Sequence, residues 1–199
     1  MKSAFDVSEQ NSSIDHKIVV GLERISEVFR VMLWNESKKT GLSPIQIQIM
    51  VFLHFHKHTF NSPSYLAKEF NVTKATITDS VRVLVEKGLI EKKPDPDDAR
   101  RYAVSLTASG RKIASQSASF SDDLVAAIGK VPNALKPEIL QGLYQMIESL
   151  NRESIVSAQR MCPNCQFFEN GRDGDYCHYL KQPLVPSDLR LDCPEFQSL

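Results

Sequence analysis

The first 161 residues of this 199-residue chain contain no cysteine; Cys162, Cys165, Cys177 and Cys193 all lie near its end. An absence on that scale excludes a disulfide framework for most of the chain, which must instead bury an apolar core. Long hydrophobic runs are missing as well. No stretch approaches the roughly 18 apolar residues of a spanning helix, and the polar start MKSAFDVSEQNSSID lacks the basic-then-apolar order of a secretory signal. The expected setting is therefore the cytoplasm, without a membrane partner, where clustered thiols serve metals more often than disulfides. An excess of charge of either sign is also lacking, since 24 basic residues balance 24 acidic ones. Bulk electrostatics give no sign of a nucleic-acid partner, so any such claim must rest on local pattern. No CxxC lies in a βαβ context and no serine, histidine and carboxylate set is arranged for catalysis, so no enzyme is expected.

What is present is the composition of a globular protein, 42% hydrophobic and 24% charged, enough for one core plus an appendage. From Ser13, residues Ile14, Ile18, Leu22, Ile25, Phe29 and Leu33 recur at helical spacing, a stripe that needs a partner. A shorter helix follows after KKTGLS, with Ile45, Ile49, Phe52 and Leu53 as its buried candidates. Ser62 before Pro63 opens the next helix, burying Leu66, Ala67 and Phe70. Asn71 and Val72 make a turn, and Thr73 caps a helix that turns Ile77, Val81 and Leu84 inward and ends at Gly88. Two short helices on a tight turn form a helix-turn-helix. The β-rich runs LIEKKP and RYAVSLT flank DPDDAR and predict a hairpin with Arg100 at its tip. Beyond it, Thr107 caps a helix carrying Ile113, Phe120, Leu124 and Ile128, and after VPN a last helix carries Leu135, Ile139, Leu143, Ile147 and Leu150.

The expected fold class is mainly α with a small β-wing. An N-terminal dimerisation helix spans 13–42, a winged helix-turn-helix domain 43–107, C-terminal dimerisation helices 108–160 and a cysteine-rich metal-binding segment 161–199. Three long amphipathic helices carry more apolar stripe than one small domain covers, which implies a homodimer built from both chain ends; the competing arrangement is an intramolecular bundle.

The outward face of the Thr73 helix suits DNA. Thr73, Ala75, Thr76 and Thr78 are small enough for close approach and bring methyl groups to thymine, while Lys74 and Arg82 reach phosphates or guanine edges. Arg100 at the wing tip is placed for the minor groove. LAKEFNVTKATITDSVRVLVEKGLIEKKPDPDDARRYAVSLTASG resembles the MarR family of bacterial winged helix-turn-helix regulators, through the cap at Thr73, LVEKGLIEK, the Asp98 and Arg100 pair and LTASG. The resemblance, over roughly Ile14 to Ile155, implies a dimer on a pseudo-palindromic double-stranded operator, usually a repressor released by a small-molecule or redox effector. Ala99 stands where the family often has a first wing arginine, and Arg101 is the compensating candidate. Family practice also implies an aromatic effector crevice, for which Phe29, Met32 and Trp34 are candidates, with simple core packing as the alternative.

His54, His56 and His58 have spacing that can hold a metal, but with no carboxylate or cysteine nearby in sequence they are read as solvated or capping residues. The CPNC knuckle sets Cys162 and Cys165 on one turn, and Cys177 with Cys193 can complete a tetrahedron, shielded by Phe167, Phe168, Tyr176 and Phe196. The segment has too few aliphatic residues for its own core, so a metal is its natural staple. Zinc is the expected ion. The alternatives are an iron–sulfur cluster sensing redox state, a thiol switch, His178 replacing one ligand, or an electron-transfer unit whose winged domain serves protein contacts. Because the segment follows a dimerisation helix, metal loading is expected to influence that helix and so the spacing of the recognition helices.

Overall fold

The computed structural model describes residues 3–95, 98, 101–157, 160–171 and 174–198. Helix α1 (Val7–Ser12) precedes the 27-residue α2 (Ile14–Thr40). Ser13 caps α2 by accepting from Asp15 N, and Gly41, at φ 65°, ends it in the left-handed conformation. α3 (Pro44–Phe55) starts in a reciprocal cap: Gln46 N donates to Ser43 Oγ, and Ser43 N donates to Gln46 Oε1. α4 (Pro63–Glu69) and α5 (Lys74–Glu86) form the helix pair. β1 (Ile90–Pro94) and β2 (Tyr102–Leu106) form the wing, antiparallel from Ile90 opposite Leu106 to Pro94 opposite Tyr102. α6 (Ala108–Ser117), α7 (Asp122–Gly129) and α8 (Lys136–Arg152) follow. The tail folds as a three-stranded antiparallel sheet of β3 (Phe168–Gly171), β4 (Gly174–Cys177) and β5 (Gln182–Leu184). Among the described residues no helix is long and apolar enough to cross a membrane.

One core runs from Leu33 to Ala114 and centres on α3, which packs against α2, α5, α6 and β2. Surrounded on several sides, α3 buries Ile47, Ile49, Met50 and Phe52, whereas Ile45 and Leu53 are half-buried. A single-stripe pattern misses Ile47 and Met50 because a central helix is apolar nearly all round. The predicted continuous helix after Thr107 is instead broken by a 3-10 turn at Ala118–Ser121. Four serines alternate there, at 115, 117, 119 and 121, and serine hydroxyls compete for backbone groups within a helix. Ser117 makes a particular contact, donating from Oγ to Oε1 of the buried Glu36 at 2.8 Å. That bond ties α2 to the C-terminal end of α6.

Two glycines shape the entry to the wing and the helix behind it. Gly88, at φ 67°, lets α5 turn into the wing. Gly110 lies under the start of the wing, where an added Cβ would sit 1.9 Å from the Leu89 carbonyl oxygen. Because the obstacle is backbone, side-chain rotation does not relieve it. Gly110→Ala is expected to cost about 1–3 kcal/mol, read as a lower urea midpoint with unchanged slope. Thr73→Ala removes the acceptor that takes the Thr76 N–H at 3.1 Å and is expected to cost about 1 kcal/mol, with Thr73→Ser restoring most of it.

Candidate nucleic-acid interface

The turn between α4 and α5 depends on Asn71, at φ 50°, a residue type that tolerates the left-handed region. Val72 N then donates to Ala67 O at 3.0 Å, and Thr73 starts α5. Ile77, Ser80, Val81 and Leu84 lock α5 into the core, leaving Thr73, Lys74, Ala75, Thr76, Thr78, Asp79 and Arg82 exposed on the opposite side. Thr78 Oγ1 donates to Lys74 O at 2.8 Å, and the Thr73 and Thr76 hydroxyls bond each other at 2.9 Å. With these hydroxyls occupied locally, the threonines offer methyl surface to a docking partner. Arg82 pairs with Asp79 at 3.6 Å and Glu86 at 3.2 Å. Exposed pairs of this kind contribute little and are readily exchanged for a phosphate.

Lys74, Thr78 and Arg101 come together around a groove between the helix pair and the wing, joined by Ser62, Ser64 and Tyr102. The groove depends on how α4 packs against α5 and β2, so the sequence pattern did not reveal the last three. Arg101 is exposed, with its guanidinium 3.6 Å from Asp98. Lys92 places its ammonium 4.8 Å from the Tyr102 ring centre, adding cationic character to the wing strands. Arg100 and Ala99 lie outside the described residues. The expected crevice residues sit on α2: Phe29 and Trp34 are exposed, Trp34 by 55%, and Met32 is half-buried.

In the tail, the four cysteines arrive from separate pieces of chain. Cys162 and Cys165 bracket a 3-10 turn, in which Cys165 N donates to Cys162 O at 2.9 Å, Cys177 ends β4, and Cys193 lies near the C-terminal end. All four are free thiols lining one cavity of about 20 Å³. Phe167 and Phe168 flank it as expected, but Tyr179 and Leu184, not Tyr176 and Phe196, complete its apolar wall. The Arg190 N–H donates to Cys162 Sγ at 3.3 Å, and the Arg190 guanidinium lies 3.7 Å from Cys193 Sγ. Burial pushes the Cys162 thiol up, the Arg190 N–H opposes this, and the other three cysteines add to the rise. His178 is turned to Glu169, 2.7 Å away. Among the described residues no three histidine, cysteine, aspartate or glutamate side chains form a ready-made metal cage.

Arg160, unnoticed in the sequence, joins the tail to the helix pair. It is only 2% exposed. Its guanidinium donates to Glu69 at 2.7 and 3.0 Å, to Asp192 at 2.6 and 3.0 Å, and to the Tyr65 hydroxyl at 2.7 Å. It also lies 5.1 Å from the Phe52 ring centre and 5.6 Å from that of Phe60. Burial works against its charge, yet the bonds to Asp192 and Glu69 hold its pKa above the ordinary arginine value. For Asp192 burial is again adverse, but His56 and Arg160 keep the carboxyl well below the usual range. His56 stacks on Phe52, its Nδ1 2.9 Å from Phe52 O and its Nε2 2.8 Å from Asp192. The carboxylate missing beside the histidines in sequence thus arrives from 136 residues away.

Residues 40–101 match the model of the MarR family. Over 71 residues, 36% of this chain, the sequence is 37% identical to the HTH-type transcriptional repressor YetL of Bacillus subtilis (strain 168), and the match spans 42% of that protein. Among solved structures, MepR of Staphylococcus aureus in complex with DNA is similar at a TM-score of 0.60 and 22% identity, covering 66% of this chain and 97% of that one. The transcriptional regulator BldR from Sulfolobus solfataricus is similar at 0.52 and 23% identity, covering 69% of this chain and 99% of its own. The chain has the mainly helical winged helix-turn-helix fold of MepR and BldR, and its residues 40–101 carry the sequence pattern of the MarR family.

Proposed function

We propose that this chain is a MarR-type, sequence-specific DNA-binding transcription regulator, acting as a homodimeric repressor on a pseudo-palindromic duplex. The observation that carries it is the exposed α5 face, Thr73 to Arg82, opening onto a groove shared with Arg101 of the wing. α5 is sized for a major groove, and its small residues and flanking cations divide base contact from phosphate contact. Arg100 is assigned to the minor groove from its place in the sequence. The repressor named YetL and the DNA complex of MepR support the same reading. It describes a regulator and not an enzyme.

The dimer is supported by what one chain leaves uncovered. Ile18, Ile25 and Phe29 on α2, Ile128 on α7, and Ile139 and Leu150 on α8 are all at least 40% exposed. Apolar surface repeated over three helices calls for a partner of the same kind, and a second copy supplies the same stripes. An effector crevice at Phe29, Met32 and Trp34 would be closed by that second copy.

The full-length protein is expected to select a duplex from a random-sequence pool and to bind it less tightly as salt rises. Lys74→Ala and Arg101→Ala are each expected to weaken binding and to reduce the slope of log affinity against log salt by about 1, while Lys112→Ala on α6 leaves both unchanged. Turnover of a redox dye without salt-dependent DNA affinity would sink the regulator assignment. Sedimentation equilibrium is expected to give twice the chain mass, and Ile25→Asp a single-chain mass with unchanged helical circular dichroism; a wild-type monomer at micromolar concentration would rule the dimer out.

A further inference from the structure

We propose that Cys162, Cys165, Cys177 and Cys193 bind one zinc ion, and that this ion holds Arg160 in the notch between α3 and α4, so that metal occupancy sets the DNA affinity of the winged domain. The effect on DNA rests on the regulator reading above; the metal site and the anchor do not.

The tail has almost nothing else to fold around. Among the described residues from Arg160 onward, the buried apolar side chains are Met161, Cys162, Cys165 and Leu184. Half of that set is cysteine. A sheet of three- and four-residue strands with so little core does not stand without a staple. The four thiols are free and face one cavity, so they are available as ligands.

The cavity also selects the occupant. The cavity of about 20 Å³ between the four thiols has room for an ion-sized body. Thiolates in an apolar pocket suit a thiophilic ion that accepts four ligands, which is zinc. The Arg190 N–H already directed at Cys162 Sγ, 3.3 Å away, is the kind of outer contact that orients a sulfur ligand. Binding would draw the sulfurs inward from the cavity walls.

The anchor is built into the same turns. Arg160 stands two residues before Cys162, and Asp192 immediately before Cys193. The Cys193 N–H donates to Arg160 O at 3.0 Å, and the Cys162 N–H to Arg190 O at 3.3 Å. Fixing the two cysteines therefore fixes the two backbones that present Arg160 and Asp192. Arg160 also holds φ at 55°, a conformation a long side chain keeps only when its surroundings impose it. Through Tyr65 and Glu69 the guanidinium grips α4, the helix that supports α5. Lys57 adds an outer clasp to Glu195 at 3.1 Å.

The test uses full-length protein purified without a metal-binding tag. Elemental analysis is expected to give about one zinc per chain, and replacement by cobalt(II) to give the absorption of a tetrahedral thiolate site. Cys177→Ser and Cys193→Ser are each expected to weaken zinc binding, titrated with zinc alone against a chromophoric chelator, by about tenfold or more. Removing zinc is expected to speed amide exchange in Tyr65–Glu69 and to lower affinity for the pool-selected duplex by about tenfold. Arg160→Met keeps the zinc stoichiometry but reproduces the exchange and affinity of the metal-free protein. Iron with sulfide, or no metal and no cobalt–thiolate absorption, overturns the site. Zinc bound with α4 exchange unchanged on its removal overturns the anchor. Zinc-loaded protein that selects no duplex counts against the regulator reading, and stoichiometry and α4 exchange then decide the site and anchor.

Discussion

The burial of α3 on nearly every side is the constraint from which the rest of the molecule follows. α2, α5, α6 and β2 all pack against it, and Ile47, Ile49 and Met50 are wholly inaccessible. Each such side chain contributes on the order of 1.5–3 kcal/mol relative to exposure, so the position of α5 is set by packing and not by its own short length. The face of α5 left outward is what remains after Ile77, Val81 and Leu84 meet α3 and its neighbours. The C-terminal end of the same helix presents Phe52 and His56, against which the tail is seated. One buried helix therefore fixes both the candidate reading surface and the dock for the cysteine segment.

Features decided by neighbours in sequence were legible before any coordinates. Ser62, Thr73 and Thr107 each accept a backbone N–H as helix caps, and Gly88 occupies the left-handed position that ends α5. The inward set Ile77, Val81 and Leu84 follows from a 3.6-residue period alone. Features decided by tertiary packing were not legible. Nothing local marks Ile47 and Met50 as more buried than Ile45, or brings Ser62, Ser64 and Tyr102 beside Lys74. Arg160 looks like any exposed arginine near a loop, since its carboxylate partners lie 91 and 32 residues away.

The balanced charge, which gave no sign of a nucleic-acid partner, looks different once the pairs are located. Glu69 and Asp192 are committed to Arg160, Glu36 to Lys39 and Ser117, and Glu195 to Lys57. These acids are committed to basic or polar partners within the fold, while Asp95 lines the groove with Lys74 and Arg101, and Asp98 lies 3.6 Å from Arg101. Formal neutrality of the chain therefore says little about the groove, because potential near a helix face depends on charges within about a Debye length, and there Lys74 and Arg101 stand beside Asp95 and Asp98. Asp79 and Glu86 remain close to Arg82 on α5 itself, a mixed pattern that favours selective contact over tight nonspecific adhesion.

A buried arginine between two carboxylates is an expensive way to join a short tail to a domain. Desolvating the guanidinium consumes much of what its partners return, and an apolar contact of equal area would hold at least as well. What the charged joint adds is discrimination: Arg160 fits only when Glu69, Asp192 and Tyr65 are all in place, and a displaced tail leaves Glu69 unpaired in a largely buried site. Losing one partner of such a group costs about 3–5 kcal/mol when burial is complete, less here because Asp192 is half-exposed. A greasy contact can slide and weaken gradually, whereas the five hydrogen bonds of Arg160 require Glu69, Asp192 and Tyr65 at fixed positions. That geometric demand is how the folding of the tail would be felt by α4.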